Sequence, residues 1–483
     1  MSNLSELLPT GGGQNSVDFV ASGTLSSGQA VVLNTDGTVS TITETPDAAG
    51  TPTVFNSANS DYIGSTYDST NNKVVIAYRD DGNSLYGTAV VGTVSGTSIS
   101  FGTPVVFESA TSAQISATYD STNGKVVIAY QDGGNSSYGT AVVGTVSGTA
   151  ISFGTAVVFE SASSSGISAT YDSTNGKVVI AYRDAGNAGY GTAVVGTVSG
   201  TAISFGTPVV FASTSVSFIP ATYDSTNNKV VIAYRDNDNS FYGTAVVGTV
   251  SGTSISFGTP VVFNSATTNY ISATYDSTNG KVVIAYTDGG NSSYGTAVVG
   301  TVSGTSISFG TPVVFESATS SYISTTYDST NNKIVIAYQD AGNSFYGTAI
   351  VGTVSGTSIS FGTPVVFESA ISSYNSAIYD STNGKVVIAY RDDGNSLYGT
   401  GVVFTVGFSD NTDFIGITAE AISDTATGPV NVYGGINAVQ TGLTIASDYY
   451  VQADGSLTTA SASPAVKVGQ AVSATTINLM DLT

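Results

Sequence analysis

The sequence lacks cysteine, histidine and tryptophan throughout its 483 residues. Without Cys and His there are no thiolate or imidazole ligands for zinc or haem, no disulfide, and no Ser–His or Cys–His catalytic pair. Charged residues are also scarce, at 10%, against about 25% in an ordinary soluble domain. These absences argue against an enzyme and against a fold that depends on disulfides or zinc.

The few charges are mostly acidic, with 34 Asp and Glu against 12 Lys and Arg, for a net charge of -22. Nucleic acids and anionic lipids are bound by clustered Lys and Arg, so we expect neither as a partner. No apolar run is long enough to span a membrane, and membrane insertion is not expected. The first basic residue is Lys73, so we also expect no signal peptide and synthesis in a cytoplasm.

Repetition is what the sequence has in abundance. The tetrapeptide Tyr-Asp-Ser-Thr recurs every 52 residues, and its seven copies begin at Tyr67, Tyr119, Tyr171, Tyr223, Tyr275, Tyr327 and Tyr379. In the first repeat the pattern predicts strand a over 63–68, strand b over Lys73–Asp80, strand c over 86–94 and strand d over 99–108. Strand b is apolar without alternation, which is typical of a strand covered on both faces.

Four strands in each of seven repeats predict an all-β fold, a seven-bladed β-propeller. The seventh repeat departs from the pattern after strand c, whereas segment 50–57, which precedes the first strand a, matches 102–109. This N-terminal segment is therefore predicted to supply strand d of the last blade. Such closure removes the unpaired edges that an open β-solenoid would expose.

The domain prediction follows from the repeat boundaries. The propeller covers 49–410, and it is inserted in a discontinuous base domain, a β-sandwich or barrel-like assembly of residues 15–48 and 411–483. Residues 1–14, which end in a run of glycines, are predicted to be a tether or anchor. The chain enters and leaves the propeller on the face of the a–b and c–d turns, so we expect the other face to point away from the base.

The two faces of the predicted propeller differ in how much they vary between repeats. The a–b and c–d turns are nearly constant, whereas the b–c and d–a loops change and carry Arg, Gln and aromatic residues. These residue types hold ligands by stacking and by forked hydrogen bonds, so the variable face is predicted to bind a ligand. Neutral variation of surface loops is the alternative. The candidate residues are Tyr62, Arg79, Arg183, Phe218, Arg235, Phe241, Tyr270, Tyr322, Phe345, Tyr374 and Arg391.

Metal binding and catalysis are weaker predictions. Asp80 and Asp132 each stand three residues before an asparagine, Asn83 and Asn135. These side chains could supply oxygen ligands to calcium, but such loops are more often tight turns in which Asp accepts from backbone amides. We therefore expect no cofactor, with calcium as the one left open. Seven equivalent loops offer no asymmetric pair of carboxylates, so an enzyme is not expected.

The flanking segments carry a resemblance to a known group of proteins. Leu8-Pro9-Thr10-Gly11-Gly12-Gly13-Gln14-Asn15 with segment 21–33, and segments 442–457 and 466–471, resemble the ends of tail-fibre and other virion appendage proteins of marine bacteriophages. The repeat is also similar to propeller repeats of viral and environmental bacterial sequences.

The resemblance implies a structural protein of the virion surface that forms a homo-oligomer, with a homotrimer as the expected form. Its base domain and N-terminus would bind other virion proteins, and its propeller would bind a host-surface glycan or protein. Two alternatives stay open: a passive decoration protein of the capsid or tail, and a bacterial lectin or adhesin that binds surface glycans. An enzyme that degrades surface polysaccharide is the least favoured interpretation.

Overall fold

The computed structural model describes residues 15–409, 411–460 and 466–480, so the predicted tether over 1–14 lies outside the described residues. The chain divides into two compact units. One contains the described residues up to Pro46 and from Gly407 onward, and the other spans Asp47–Val406. The sequence predicted these divisions at 48/49 and 410/411. Within the described ranges, no helix is long and apolar enough to cross a membrane.

Strands b and c form the centre of each repeat in the second unit, and they pair in antiparallel register. The b strands are Lys73–Asp80, Lys125–Asp132, Lys177–Asp184, Lys229–Asp236, Lys281–Asp288, Lys333–Asp340 and Lys385–Asp392. The c strands are Tyr86–Ser95, Tyr138–Ser147, Tyr190–Ser199, Tyr242–Ser251, Tyr294–Ser303, Tyr346–Ser355 and Tyr398–Thr405. These bounds lie within one residue of those predicted for the first repeat.

Strand d begins as a short piece and continues, after a break at Gly-Thr-Pro or Gly-Thr-Ala, into a long strand that also forms strand a of the next repeat. The short pieces are Ala48–Ala49, Ser98–Phe101, Ala150–Phe153, Ala202–Phe205, Ser254–Phe257, Ser306–Phe309 and Ser358–Phe361. The joined d–a strands are Thr53–Asp68, Val105–Asp120, Val157–Asp172, Val261–Asp276, Val313–Asp328 and Val365–Asp380. In the fourth repeat the joined strand is interrupted before Pro220, giving Val209–Ser217 and Ala221–Asp224.

Short 3-10 helices connect strands b and c in several repeats. They are Asp81–Asn83, Gly133–Asn135, Ala185–Asn187 and Ala341–Asn343, and a further one in the first unit is Asn411–Asp413.

The hydrophobic core lies between the sheets of successive repeats. The side chains from Val74 to Tyr78 are fully buried, which confirms that strand b is covered on both faces. Val75 packs in one cluster with Ile128 of the second repeat, and Ile76 packs in another with Ala389 of the seventh. Each sheet is therefore enclosed by its two neighbours, including the first by the last.

The N-terminal segment closes the sheet. Thr405 and Phe404 of the last c strand pair with Ala48 and Ala49, and Thr400 of the same strand pairs with Val54. These are the positions that strand d occupies in the other repeats, as the sequence predicted. The all-β class is confirmed, and the antiparallel sheet is ring-like.

The a–b turns are built by the aspartate that follows each repeat tyrosine. Asp68 Oδ1 accepts from the backbone N–H groups of Thr70 and Asn71, each at 3.0 Å, and Asn71 returns a side-chain hydrogen bond at 2.8 Å. The same contacts recur at Asp120 and in the later repeats. Each of these aspartates therefore caps its a–b turn.

The repeat tyrosines link each repeat to its predecessor. Tyr119 donates its hydroxyl proton to Thr70 Oγ1 of the previous repeat at 2.6 Å. Tyr67 makes the same bond to Thr382 of the seventh repeat, also at 2.6 Å. The hydrogen bond that orders neighbouring repeats is thus also present where the ring closes.

The first unit combines strands from both flanking segments. One sheet has the order Ser16–Val20, Thr427–Val432, Phe414–Thr418, Ala30–Leu33 and Val39–Thr41, and a second has Ile436–Asn437, Ile477–Leu479, Val466–Ala471, Asp448–Val451 and Leu457–Thr458. Glu44–Thr45 pairs with Phe408–Ser409. Val32 and Ile42 from the N-terminal segment pack in one core with Phe414, Tyr449 and Leu479.

Replacing a buried phenylalanine of the closing strand by alanine tests whether this strand is equivalent to an internal strand d. Phe55 is 6% exposed, with its ring centroid 5.0 Å from that of Tyr78, and Phe263 is 7% exposed, 5.2 Å from Tyr286. We expect Phe55→Ala and Phe263→Ala each to lower the free energy of unfolding by about 3–5 kcal/mol, because each removes a buried ring and leaves a cavity. Urea denaturation followed by near-UV circular dichroism measures both. A negligible loss for Phe55→Ala beside a large loss for Phe263→Ala would contradict closure by this strand.

Candidate ligand-binding site

Each joined d–a strand contains one residue in the left-handed backbone region, at an irregularity in strand pairing. The φ angles lie between 46° and 57° for Tyr62, Gln114, Gly166, Phe218, Tyr270, Tyr322 and Tyr374. For an L-residue other than glycine this conformation costs roughly 1–2 kcal/mol. A bulge of this kind re-aims a side chain and is often found beside a functional site. We call these seven places the collar positions.

Five of the collar positions hold aromatic side chains that contact one another in sequence around the centre of the unit. Ring centroids lie 5.4 Å apart for Tyr62 and Tyr374, and 5.2 Å apart for Tyr374 and Tyr322. Tyr322 lies 5.4 Å from Tyr270, which lies 5.4 Å from Phe218. The rings are tilted by about 50° to each other, an arrangement that aromatic pairs favour. We name this set of five the aromatic collar.

The other two collar positions leave a gap in the collar. Gln114 and Gly166 occupy neighbouring repeats, and the Gly166 N–H donates to Gln114 Oε1 at 2.9 Å. This contact turns the Gln114 amide toward the glycine. The collar therefore has a polar segment on one side and a continuous aromatic segment on the other.

A cavity of about 250 Å³ opens at the collar and is lined by residues from all seven repeats. The residues that directly follow six of the collar positions in the sequence also line the cavity. They are Ile63, Ile115, Ile167, Ile271, Ile323 and Asn375. Because these residues belong to strand a, strand a is the innermost strand of each repeat. The cavity thus combines aromatic walls, an aliphatic lining and two side-chain amides, those of Gln114 and Asn375.

Asn375 is the residue that sequence reasoning missed. It is 8% exposed, and neither its Nδ2 nor its Oδ1 atom has a hydrogen-bond partner among the described residues. A buried polar group left unpaired costs about 1–3 kcal/mol, so an Asn at this place calls for a partner from outside the chain. The signal was present in the repeats, since the other six hold isoleucine here, including Ile219.

Two of the predicted arginines form an ion-pair network behind Tyr62 and Tyr374. Asp61 accepts from Arg79 of its own repeat and from Arg391 of the seventh repeat, the latter at 2.5 Å. Arg79 Cζ lies 5.1 Å from the centre of the Tyr62 ring, and Arg391 Cζ lies 5.2 Å from that of Tyr374. The network therefore supports two collar rings from behind and links the first repeat to the last.

Further carboxylates complete this network. Arg79 Nε donates to Asp81, and Arg391 Nε donates to Asp393, both at 2.6 Å. Burial acts to lower the pKa of each guanidinium, but the hydrogen bonds and charges of the aspartates outweigh it and raise the pKa of both above its ordinary value. With their donors directed at the protein's own acids, Arg79 and Arg391 position the collar.

Arg235 lies between two aromatic rings in the fourth repeat. Its Cζ atom is 4.9 Å from the Phe218 centroid and 5.3 Å from that of Phe241. Its Nε donates to Ser217 at 2.9 Å and to Asn237 at 3.0 Å, and Nη1 donates to Asn269. Burial lowers the pKa of this arginine, which has only neutral partners.

The remaining predicted site residues make no ring contact with the aromatic collar among the described residues. Phe241 and Phe345 are each 46% exposed at the tips of b–c loops. Arg183, at the end of strand b in the third repeat, is half-buried, and its side chain has no hydrogen bond or ion pair in the described part of the chain. The structure therefore brings five of the predicted residues into one collar, places three arginines against it, and separates the two loop-tip phenylalanines.

The calcium candidates act as turn residues. Asp80 Oδ1 accepts from the Gly82 N–H at 3.1 Å, and Asp132 Oδ1 accepts from the Gly134 N–H at 2.9 Å. Asn83 and Asn135 end the two short 3-10 helices that follow. The turn interpretation is confirmed. Among residues 15–409, 411–460 and 466–480 no group of three acidic side chains is placed to hold a metal ion.

Replacing Asp61 tests the network behind the collar. Asp61→Asn removes the charge that two guanidiniums share, so we expect the free energy of unfolding to fall by about 1.5–3 kcal/mol. Asp81→Asn is the matched control, since Asp81 accepts from only one arginine, Arg79, and we expect a smaller loss. Urea denaturation compares the two variants. Equal losses would contradict a special role for the carboxylate that joins the first and last repeats.

The collar tyrosines give a pH-dependent test. Burial, followed by the charge of Asp61, raises the pKa of Tyr374 to about 12 from an ordinary value of 10.0. The unfolded chain ionises first, so the stability that the neutral phenol contributes is present below pH 10 and is lost as the pH rises toward 12. We expect wild-type protein to lose more stability than Tyr374→Phe over this interval, as measured by urea denaturation at several pH values. Parallel losses would show that Tyr374 ionises normally.

Comparisons with known proteins add a relationship of fold. No protein-family model matches the sequence, and no curated protein matches it. Among solved structures, the BP39L lectin from Burkholderia pseudomallei has a TM-score of 0.56 at 9% identity, covering 74% of this chain and 98% of its own. The SapL1 lectin, solved with alpha methyl fucoside, has a TM-score of 0.39 at 13% identity, covering 64% and 97%. A chain of a mitotic checkpoint complex has a TM-score of 0.48 at 11% identity, covering 74% and 94%. At such identities the likeness to BP39L concerns the fold alone.

Proposed function

We propose that this protein is a glycan-binding β-propeller, a lectin or adhesin, whose aromatic collar binds a sugar of a cell surface. The observation that carries the proposal is the collar itself. Five aromatic side chains, all in a strained backbone conformation, surround a cavity that contains one buried and unpaired amide. Strain and an unpaired polar group at one place are typical of a binding site.

The chemistry of the cavity suits a sugar. A sugar ring has an apolar C–H face, which packs on aromatic side chains, and hydroxyl groups, which need hydrogen-bond partners. The rings of four tyrosines and one phenylalanine can pack against the C–H face. The tyrosine hydroxyls and the Asn375 amide can form hydrogen bonds with the sugar hydroxyls. The volume of about 250 Å³ lies near the lower end of the range for small-molecule sites, about 300–1,000 Å³. We infer that one sugar unit enters at a time.

The fold supports the same proposal. We infer that the unit Asp47–Val406 is a seven-bladed propeller, because each repeat contributes strands a to d and the N-terminal segment completes the last. BP39L, which shares the fold, is a lectin. Fold alone does not determine function, so the weight of the proposal rests on the collar.

The broader setting of the protein stays a prediction from the resemblance. Four predictions are compatible with a glycan-binding propeller but rest on the sequence alone. They are a place on the virion as an appendage, a homotrimeric state, contacts to other virion proteins through a sandwich or barrel-like base, and an absence of catalysis. A lectin or adhesin has the additional support of the collar and of the fold relationship, and it is the function we favour. Several binding heads on one particle would raise avidity by roughly 10²–10⁴ over a single site.

Tyr322 is the best residue for a test of this function, because it contacts collar rings on both sides. We expect Tyr322→Ala to weaken glycan binding by at least about tenfold, or ~1.4 kcal/mol, because it opens the aromatic wall. Tyr322→Phe keeps the ring and should retain most of the affinity. A glycan array followed by titration calorimetry on the bound sugars gives the measurement.

Tyr433→Ala serves as the matched control, since Tyr433 is a 36% exposed tyrosine of the first unit. It should bind like wild-type protein. If the purified protein binds no glycan on a broad array, or if Tyr322→Ala binds as tightly as wild type, the collar is not a sugar site. Loss of binding in Phe345→Ala alone would place recognition on the b–c loops.

A further inference from the structure

Arg183 differs from the other three arginines of the chain, although it occupies the same place in its repeat. Each arginine follows a collar position by 17 residues, and each pairs with the residue just before that position: Ser165 with Arg183, Ser217 with Arg235, and Asp61 with Arg79. The four side chains therefore start from equivalent backbone positions. Only their surroundings differ.

The aromatic rings that cover Arg235 are replaced by glycines around Arg183. Phe218 corresponds to Gly166, and Phe241 corresponds to Gly189. The guanidinium lies directly against Gly189, where an added Cβ atom would come within 2.6 Å of Nη2. In the described part of the chain no aromatic ring lies over Arg183, whereas Arg79, Arg235 and Arg391 each have at least one.

The hydrogen-bond acceptors of the other arginines are also missing here. Asp81, Asn237 and Asp393 accept from the arginine two residues before each of them, and the corresponding residue after Arg183 is Ala185. Acceptors also come from the neighbouring repeat, where Asp61 accepts from Arg391 and Asn269 accepts from Arg235. The residue at this position in the repeat next to Arg183 is Ser217. Ser217 is already bonded to Asn237 and Arg235. Substitutions at four separate positions thus leave one guanidinium without cover or acceptor.

The same substitutions open the collar. Gly166 is one of the two residues that form the gap, and Gln114 is the other. The Gln114 side chain accepts from Gly166 through Oε1, and its Nε2 makes no hydrogen bond within the described ranges. A half-buried guanidinium and a free amide donor therefore belong to the one segment of the collar that has no aromatic ring.

A free guanidinium is an unusual feature in a protein with a net charge of -22. Its fork of N–H donors matches the two oxygens of a carboxylate or of a sulfate ester, and such charge-assisted pairs are strong. We propose that Arg183, beside the Gly166 gap, binds an anionic substituent of the glycan held in the collar, so that the protein selects acidic sugars. This inference rests on the proposed function and names the sugar class for that site.

The test compares Arg183→Gln with Lys385→Gln. Lys385 begins strand b of the seventh repeat, at the strand end opposite to the arginine position, and its side chain has no ion pair or hydrogen bond among the described residues. Both variants lose one positive charge, so a general charge effect would appear in both. Because the Arg183 side chain has no hydrogen-bond or ion-pair partner among the described residues, its replacement should leave the thermal midpoint unchanged.

The probes are an array of oligosaccharides of galacturonic and glucuronic acid, their carboxyl-reduced products, sulfated counterparts and neutral surface glycans. We expect wild-type protein to prefer an acidic class, Arg183→Gln to bind it at least about tenfold more weakly, and Lys385→Gln to bind it normally. Preference for the uronic acids over their reduced products identifies a carboxylate, and preference for the sulfated set identifies a sulfate ester.

A second variant keeps the charge and removes access to it. Gly166→Phe with Gly189→Phe recreates the two rings around Arg235, and both positions already hold Phe in the same backbone conformation in the fourth repeat. We expect this variant to lose the preference for acidic sugars and to keep binding of neutral ones. Acidic sugars bound equally tightly by wild type and Arg183→Gln, or neutral sugars bound by wild type as tightly as acidic ones, would overturn the Arg183 inference alone. No binding to any probe would overturn the proposed function with it.

Discussion

The pairing of the N-terminal segment with the last c strand is the interaction on which the second unit depends. Ala48, Ala49 and Val54 complete the seventh sheet from the opposite end of the repeat array. Other hydrogen bonds across this seam repeat ones that neighbouring repeats make, such as Tyr67 with Thr382 or Ser65 with Ser376. Without this strand the first and last repeats would each have an uncovered sheet face or edge, which β proteins avoid. Closure also brings seven collar positions around one cavity.

Repetition separates what holds the fold from what is free to vary. The turn aspartates, the interlocking tyrosines and the buried strands b recur in all seven repeats, because each repeat must fit its neighbours in the same way. The collar positions keep their backbone conformation but change their side chain from tyrosine to phenylalanine, glutamine or glycine. A constant frame with a changing side chain is how repeat proteins build an asymmetric site. The aromatic collar and its gap are such a site.

Much of the fold could be predicted because its signals are local and repeated. The bounds of strands b and c, the a–b turns around Asp68 and the match of 50–57 to strand d follow from patterns seen seven times. The site was predicted only as a set of variable residues. The repeats show that Asp81 corresponds to Ala185, which follows Arg183. Only the structure shows that Asp61 and Asp81 take the donors of Arg79 and that the Arg183 guanidinium has no acceptor among the described residues. That difference depends on residues brought together by closure and by register between strands.

The sequence by itself determined the all-β class, the strands of each repeat and the pairing that closes them, because hydrophobic pattern and turn chemistry act over a few residues at a time. The tertiary structure decided which variable residues meet. It placed Tyr62 against Tyr374, which are far apart in the chain, and it placed Asn375 in a lining of isoleucines without a partner. These contacts are made between residues of different repeats around the centre of the closed sheet. They arise only when all seven repeats are in position, since each collar side chain takes its neighbours from the repeats on either side.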